Sequence, residues 1–247
     1  MKRIIFFILF TTLPLLCLFA HPHVYIDLCL ALEFDEQGLT GFSEQWTILR
    51  TFGQTLGPVY DKNSDGIFSL EETKKIKEEV FDNIIKYNYY TYLDVNGVTC
   101  FPANVENFSV EMVGDKISFS FFVPCRIYAE EDYQTYELTV HDISRYVSFG
   151  LMYIDDPYSK AIDYDIHIER DGDYYSHSCD FGNAVIFLEM KLAKVSEVDL
   201  SSKHIAVPDG LIRMTSQNIS PRDTITNPFI KPGMRIKDDN PNPFISY

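Results

Sequence analysis

Alternating apolar and polar residues predict a long β-strand near the start of the chain. From Val24 to Phe34 the even positions are all apolar, a period of two that gives a strand one buried face. A turn at residues 35–38 leads to a second alternating run with Phe42, Trp46 and Ile48. The two runs are expected to pair as a hairpin.

A helical period is clear in one segment. Ile76, Val80, Ile84 and Tyr87 are spaced for one apolar helix face after the stretch DKNSDGIFSLEE. The stretch before it, TFGQTLGPVY, contains two glycines and one proline. Such residues weaken a helix interior, so no regular helix is expected there. The pattern therefore predicts one helical insertion.

After this helix the pattern returns to strands. The pair Asn96-Gly97 between apolar runs indicates a two-residue hairpin turn, and a second hairpin is expected around Gly114-Asp115. Further strands are predicted at about residues 133–141, 145–154, 164–170, 173–179 and 184–192. The whole pattern favours a mainly β domain over residues 21–200, an antiparallel β-sandwich-like domain with one helical insertion.

The chain changes character over residues 201–247. Five of its 12 prolines lie between Pro221 and Pro243, and the sequence Asn-Pro-Phe-Ile occurs twice. A segment of this composition cannot bury enough apolar surface to form its own core. We predict an extended tail, lying on the domain or free in solution.

Residues 1–20 have the pattern of a signal peptide. Lys2 and Arg3 precede an apolar run from Ile4 to Phe19, and the small residue Ala20 suits the position before a cleavage site. The run is shorter than the roughly 20 residues that a membrane-spanning helix needs. We expect export to the periplasm or the cell exterior, with His21 first after cleavage and no membrane span left.

The charge of the chain limits its partners. The formal net charge is −15, and cleavage of the signal would remove two positive charges. A chain this acidic is not expected to bind nucleic acid or anionic lipid. The charge suits cations or a basic protein surface, although solubility alone would also explain it.

Four cysteines would remain after cleavage. They are Cys29, Cys100, Cys125 and Cys179. In an oxidising compartment they could form two disulfides, for which three connectivities are open.

Residues 61–72 match the EF-hand calcium loop. Short oxygen side chains at alternate positions can surround a hard cation, Gly66 permits the sharp turn, and Glu72 can supply two oxygens. A surface turn before a helix is the alternative interpretation. Three formal negative charges and a single loop point to modest affinity and a structural role. We expect Ca²⁺ to bind through Asp61, Asn63, Asp65, the Ile67 carbonyl, Ser69 and Glu72.

The sequence His-Pro-His would begin the cleaved chain. His21 then offers an amine and an imidazole, and His23 a second imidazole, which are ligands suited to Zn²⁺, Ni²⁺, Co²⁺ or Cu²⁺. Pro22 lacks an N–H, so a planar site that uses backbone amide nitrogens is excluded. Further ligands would come from neighbouring strands. The candidates are His141, His167, His177, Asp142 and Asp165.

Several of these motifs occur together in a known order. They are AHPHVYID, Trp46, the aspartate-rich loop, YNYYTYLDVNG and LTVHDISRYVSF. Over roughly residues 20–190 the chain resembles a family of periplasmic proteins of unknown function, described as the periplasmic component of an uncharacterised ABC-type transport system and linked with nickel, cobalt or zinc transport. The resemblance implies an exported metal-handling accessory protein with a membrane metal transporter as partner. His141 departs from the family pattern, in which an aromatic residue is usual.

Three functions follow from these observations. The first is a metal-binding accessory protein of a transition-metal transport system, stabilised by calcium. The second is a copper-dependent oxidative enzyme that uses an amino-terminal histidine site. The third is a structural β-domain that binds a partner protein. No catalytic residue can be assigned, since no Ser-His-Asp order, phosphate-binding loop or close carboxylate pair stands out.

Overall fold

The described part of the chain contains eleven strands, two α-helices and one 3-10 segment. The structure is a computed structural model that describes residues 24–48, 51–144, 146–155, 161–170, 184–193 and 207–215. The strands are β1 (Val24–Asp35), β2 (Gly38–Ile48), β3 (Thr91–Val95), β4 (Val98–Pro102), β5 (Glu106–Val113), β6 (Lys116–Tyr128), β7 (Gln134–Val140), β8 (Val147–Asp155), β9 (Ile162–Arg170), β10 (Ala184–Leu192) and β11 (Leu211–Arg213). The helices are α1 (Thr51–Tyr60) and α2 (Leu70–Glu79), and the 3-10 segment is Phe81–Tyr90.

The strands form two sheets. Sheet A has the order β5-β6-β2-β1-β8, and sheet B has the order β11-β4-β3-β7-β10-β9. The strands pair antiparallel except β1 and β8, which run parallel. The architecture is β-sandwich-like, as the hydrophobic pattern predicts.

One hydrophobic core contains side chains from both sheets and from the helical segments. Trp46 is 0 % exposed within it. Its ring centroid lies 5.0 Å from that of Phe121 and 5.1 Å from that of Phe149, and the Phe81 ring of the 3-10 segment lies 6.1 Å away. Tilted and edge-on aromatic contacts at such distances add to the free energy of burial. Trp46 therefore links sheet A to the helical insertion.

The predicted hairpins are confirmed. Strands β1 and β2 pair antiparallel, and so do β5 and β6 around residues 114–115. In the β3–β4 hairpin, Val95 pairs with Val98. The turn residues Asn96 and Gly97 have φ values of 53° and 75°, which a type I′ turn requires.

The prediction that no regular helix precedes the 61–72 loop is wrong. Helix α1 covers that stretch and has Pro58 inside it. Leu56 and Tyr60 are each 1 % exposed, and the Tyr60 hydroxyl donates a hydrogen bond to Glu79 of α2 at 3.1 Å. Burial against the core outweighs the low helix propensity of glycine and proline.

The predicted helix after the loop is shorter than expected. Helix α2 ends at Glu79, and the chain continues in 3-10 turns. The four apolar positions Ile76, Val80, Ile84 and Tyr87 are all buried as the spacing indicates. The apolar stripe therefore identified the buried face, although the backbone along it changes its helical type.

Several predicted segments lie outside the described residues. These are residues 1–20, the strand at 173–179 and most of the 201–247 tail. Within that tail, β11 is described and pairs with β4 of sheet B. None of the helices among the described residues has the length and apolar character needed to cross a membrane.

Candidate functional site

The 61–72 loop connects two helices. Helix α1 ends at Tyr60 and α2 begins at Leu70, which gives a helix-loop-helix arrangement. At its start, the Asp61 carboxylate accepts hydrogen bonds from the backbone N–H groups of Asp65 at 3.2 Å and Gly66 at 2.9 Å. Gly66 has a φ of 80°, a left-handed conformation that glycine adopts without steric cost. Asp61 thus folds the loop back on itself.

Glu72 closes the other end of the loop. Its Oε1 accepts the backbone N–H of Lys62 at 2.8 Å, while its Oε2 accepts the N–H and the hydroxyl of Ser69 at 2.9 Å and 2.8 Å. Ser69 in turn accepts the N–H of Glu72, so the two residues form a capping box at the start of α2. The hydrogen bonds from Lys62 and Ser69 lower the pKa of the Glu72 carboxyl.

The side-chain types of the loop fit calcium, but its carboxylates accept hydrogen bonds from other residues of the loop. Asp65 accepts hydrogen bonds from the Asn63 amide at 2.7 Å and from the Ile67 N–H at 2.8 Å. The described ranges contain no group of three or more His, Cys, Asp or Glu side chains placed to hold a metal ion. Binding of Ca²⁺ by Asp61, Asn63, Asp65, Ile67, Ser69 and Glu72 stays a prediction.

A second cluster lies where β1 begins. The N–H of Val24, the first described residue, donates to the carbonyl of Tyr146 at 3.2 Å. Val24 is also the cross-strand partner of Val147. Asp142 is 7 % exposed and accepts the N–H groups of Tyr146 at 3.0 Å and Val147 at 2.9 Å, together with two hydrogen bonds from Ser144. Asp142 therefore holds residues 144, 146 and 147 in a turn beside the start of β1.

His141 precedes this turn. Its N–H donates to the Tyr90 carbonyl at 2.8 Å, and its ring centroid lies 4.7 Å from that of Tyr92. Burial lowers the pKa of the His141 imidazole, and the charge of Asp142 opposes that effect only partly. The ring is therefore kept neutral at physiological pH, and the neutral imidazole is the form that binds metals.

The other predicted metal ligands are separated from this turn or lie outside the described residues. His21, His23 and His177 belong to the second group. His167 is exposed on β9, with its Nε2 3.8 Å from a carboxylate oxygen of Glu169. Asp165 is on the same strand, and β10 lies between β9 and β7 in sheet B. Of the five candidates, the structure places His141 and Asp142, which are adjacent in the sequence, in the connection that meets the start of β1.

Glu44 on β2 is a buried acid that the sequence pattern did not identify. This carboxyl is 1 % exposed and faces the core. Its Oε2 accepts a hydrogen bond from Trp46 Nε1 at 2.7 Å, and its Oε1 lies 2.8 Å from the Thr91 hydroxyl. Burial raises its pKa to about 7, against the opposing effect of the hydrogen bonds from Thr91 and Trp46. Its even position between Phe42 and Trp46 was the signal that could have placed it inside.

The contacts of the Thr91 hydroxyl are compatible with a protonated Glu44. It lies within hydrogen-bond distance of both the Glu44 carboxyl and the Tyr89 carbonyl, at 2.8 Å and 3.0 Å. A hydroxyl has one hydrogen and cannot donate to both oxygens at once. If Glu44 is protonated, its O–H donates to Thr91, and Thr91 donates to Tyr89. Each of these polar groups then has a hydrogen-bond partner, and no negative charge is buried.

The backbone beside Glu44 is strained. Asn88, Tyr89 and Tyr90 have φ values of 57°, 52° and 56°, three consecutive left-handed residues. Such a conformation costs roughly 1 kcal/mol or more for each residue that is not glycine. All three side chains are buried, and the rings of Tyr87 and Tyr90 stack at 5.5 Å. The free energy gained by burying the aromatic rings offsets the conformational cost of this turn.

The fold and the loop define the class of protein: a β-sandwich-like domain with a helix-loop-helix insertion and a fixed turn beside its first strand. Residues 6–171 match the family described as "Protein of unknown function (DUF1007)", and the chain belongs to that family. An uncharacterized protein of Haemophilus influenzae is 26 % identical over 131 residues, which are 52 % of this chain and 62 % of the relative. The chain thus matches less than two thirds of that relative's length.

Proposed function

We propose that the protein is an exported accessory protein that binds a transition-metal ion, Zn²⁺, Ni²⁺ or Co²⁺, at its cleaved amino terminus and passes it to a membrane metal transporter. Calcium bound by the 61–72 loop would stabilise the domain. The observation that carries the proposal is the hydrogen bond from Val24 to Tyr146, because it brings the start of β1 to the turn that holds His141 and Asp142.

Covalent geometry limits how far the two amino-terminal histidines can lie from this turn. His23 directly precedes Val24, and His21 is three residues from it. Consecutive Cα atoms are about 3.8 Å apart, so the His21 Cα lies within roughly 11 Å of the Val24 Cα. Val24 pairs with Val147, whose N–H binds Asp142. The amine and both imidazoles can therefore reach the neighbourhood of His141.

The electrostatics of the turn suit a soft or borderline cation. The His141 imidazole is held neutral by burial, and the neighbouring Asp142 carboxylate supplies a negative charge without leaving its own hydrogen bonds. Nitrogen ligands near a carboxylate are typical of Zn²⁺ and Ni²⁺ sites. His141 would be the ligand, and Asp142 would orient the turn and stabilise the charge of the ion.

The transporter is proposed from the family resemblance and from charge. The resemblance of the ordered motifs links the chain to nickel, cobalt or zinc transport. The net charge of −15 would attract cations at low ionic strength.

The transition-metal proposal is tested by titrating the exported, full-length protein with Zn²⁺, Ni²⁺, Co²⁺ and Cu²⁺ in calorimetry and native mass spectrometry. We expect an intact mass that begins at His21 and one bound ion per chain. The double variant His21→Ala, His23→Ala should lose roughly 100-fold or more in affinity, and His141→Ala roughly 10-fold. His167→Ala, on exposed β9, should bind as the wild type does.

Two results would contradict this proposal. One is a chain that keeps residues 1–20, so that His21 has no free amine. The other is equal affinity in the wild type and the double variant. Tight Cu²⁺ binding with peroxide-dependent oxidation would favour the copper enzyme instead.

Calcium binding is expected to raise the melting temperature. At about 10 mM Ca²⁺ and a dissociation constant of about 0.1 mM, typical of extracellular sites, the gain is roughly 3 kcal/mol, or about 5–10 °C. Glu72→Gln should abolish this increase because it removes the bidentate ligand. Glu71→Gln, one residue earlier on α2 and outside the ligand positions, is the matched control and should keep it. No shift in the wild type would identify the loop as a capped turn only.

A further inference from the structure

Of the three described cysteines, two face the core between the sheets and one lies on the outer face of sheet A. Cys100 on β4 and Cys125 on β6 are both 0 % exposed and belong to the core. Cys29 lies on the opposite face of β1, since its neighbours Leu28 and Leu30 point into the core. A side chain on the outer face of a sheet cannot reach thiols on the inner face. Cys29 therefore cannot pair with either core cysteine.

The strands that carry Cys100 and Cys125 are joined at one corner of the domain. Residues 209–210 lie between them: the carbonyl of Asp209 accepts the N–H of Arg126 at 3.0 Å, and that of Gly210 accepts the N–H of Ala103 at 2.8 Å. A Cβ at Gly210 would lie 2.2 Å from the Pro124 carbonyl oxygen, so only glycine fits this close approach. The corner holds β4 of sheet B against β6 of sheet A.

Both thiols lie in the core, on the two strands that this corner joins. Burial raises the pKa of Cys125, which is 0 % exposed in the same core as Cys100. Burial also raises the pKa of Cys100, whose Sγ lies 3.5 Å from the Val98 carbonyl. The structure has both residues as free thiols, and burial favours their protonated form.

We propose that Cys100 and Cys125 form a disulfide that joins the two sheets when the chain folds in an oxidising compartment. Two S–H bonds break and one S–S bond forms. The two protons and two electrons pass to a disulfide oxidant, such as glutathione disulfide, which is reduced to two thiols. The reaction needs a thiolate, and the closed core suppresses thiolates and excludes the oxidant. Oxidation therefore accompanies folding and does not follow it.

This assignment selects one connectivity from the three that the sequence leaves open. The two alternatives would join Cys29 to Cys100 or to Cys125, and the sheet separates those residues. Cys179 lies outside the described residues and is left as the partner available to Cys29. The proposal rests on the export part of the proposed function but on no metal, so the disulfide and the metal site can fail separately.

The test is to refold the chain with a mixture of reduced and oxidised glutathione, alkylate it under denaturing conditions and digest it with trypsin. Cleavage at Lys86, Lys116 and Arg126 places the two cysteines in separate peptides, residues 87–116 and 117–126. We expect these two peptides to be joined, and to separate on reduction. Cys29→Ser should keep the link between them.

Stability provides a second measurement. The bond would close a loop of 24 intervening residues, Phe101 to Pro124. Its reduction should therefore lower the melting temperature of the wild type and of Cys29→Ser by roughly 10 °C. The double variant Cys100→Ala, Cys125→Ala should not respond to reductant. Full alkylation of Cys100 and Cys125 after oxidative refolding, or a link from either peptide to Cys29 or Cys179, would overturn the proposal. Both of these contrary results are measured on the wild-type protein, so they do not depend on whether a variant folds.

Discussion

Glu44→Gln is expected to stabilise the protein by about 3 kcal/mol above about pH 7, and to change its stability little near pH 4. Burial raises the pKa of Glu44 to about 7 in the folded state, above the 4.5 of an exposed glutamate. Between these values the unfolded chain releases a proton that the folded chain keeps. The free energy of unfolding therefore falls as the pH rises through this window. Above about pH 7, Glu44 is ionised in both the folded and the unfolded state, and the loss of stability caused by its burial no longer changes with pH.

Glutamine should fit the site because it reproduces the protonated carboxyl. Its oxygen can accept from Trp46 Nε1, and its NH₂ can donate to Thr91, which then donates to the Tyr89 carbonyl. Urea unfolding followed by circular dichroism from pH 4 to 9 measures the difference between variant and wild type. Because Trp46 is the single tryptophan of the chain, its fluorescence should also report the titration of Glu44 directly.

Glu137→Gln on strand β7 is the matched control. Glu137 is exposed, so its replacement should change the free energy of unfolding by less than about 0.5 kcal/mol at any pH. If Glu44→Gln and Glu137→Gln have the same pH dependence, Glu44 is not a buried acid that holds its proton.

Trp46→Ala is expected to destabilise the domain by about 4 kcal/mol. The substitution leaves a cavity among Phe81, Tyr90, Phe121 and Phe149, whose ring centroids are between 5.0 and 6.2 Å from that of Trp46. It also removes the indole N–H that donates to Glu44. Loss of this donor raises the pKa of Glu44 further, so the destabilisation should be larger at pH 8 than at pH 5.

Chemical unfolding followed by circular dichroism measures this effect, because the variant lacks the fluorescent residue. Trp46→Phe should retain most of the ring packing and cost less. Tyr153→Ala on β8 removes an aromatic ring that is 57 % exposed and should cost under about 1 kcal/mol. A Trp46→Ala variant within 1 kcal/mol of the wild type would mean that the core repacks around the cavity.

The two predictions concern one connected part of the molecule. Glu44 and Trp46 lie on β2, Thr91 begins β3, and the left-handed turn at residues 88–90 places Thr91 beside them. In the same turn, the carbonyl of Tyr90 accepts a hydrogen bond from the N–H of His141. Glu44 and His141 therefore both contact the strained segment at residues 88–91. Through it, the protonation of Glu44 would change the position of His141 and so the metal affinity of the proposed site. A change in metal affinity between wild type and Glu44→Gln would measure that coupling.

The strands and hairpins of the fold could be predicted from the sequence because they depend on local patterns. The even-numbered apolar residues of β1 and the Asn96-Gly97 turn each act within a few residues of the chain. The spacing of the loop from Asp61 to Glu72 likewise predicts a sharp turn at Gly66, which the structure has, whereas the capping box of Ser69 and Glu72 was found only in the structure. For the candidate site, the sequence identified the types of ligand, and the structure placed the start of β1 beside the turn that follows His141 and Asp142.

Tertiary structure decided the existence of helix α1, the pairing of strands that are distant in the chain, and the burial of single polar and sulfur side chains. The propensities of Gly53, Gly57 and Pro58 oppose a helix, yet Leu56 and Tyr60 are buried and stabilise it. The parallel pairing of β1 with β8 joins residues more than a hundred positions apart. The faces of Cys29, Cys100 and Cys125, like the burial of Glu44, follow from that packing. Local patterns determined the elements of this protein, whereas long-range burial determined which chemical groups meet, because burial depends on surfaces that only the assembled sheets provide.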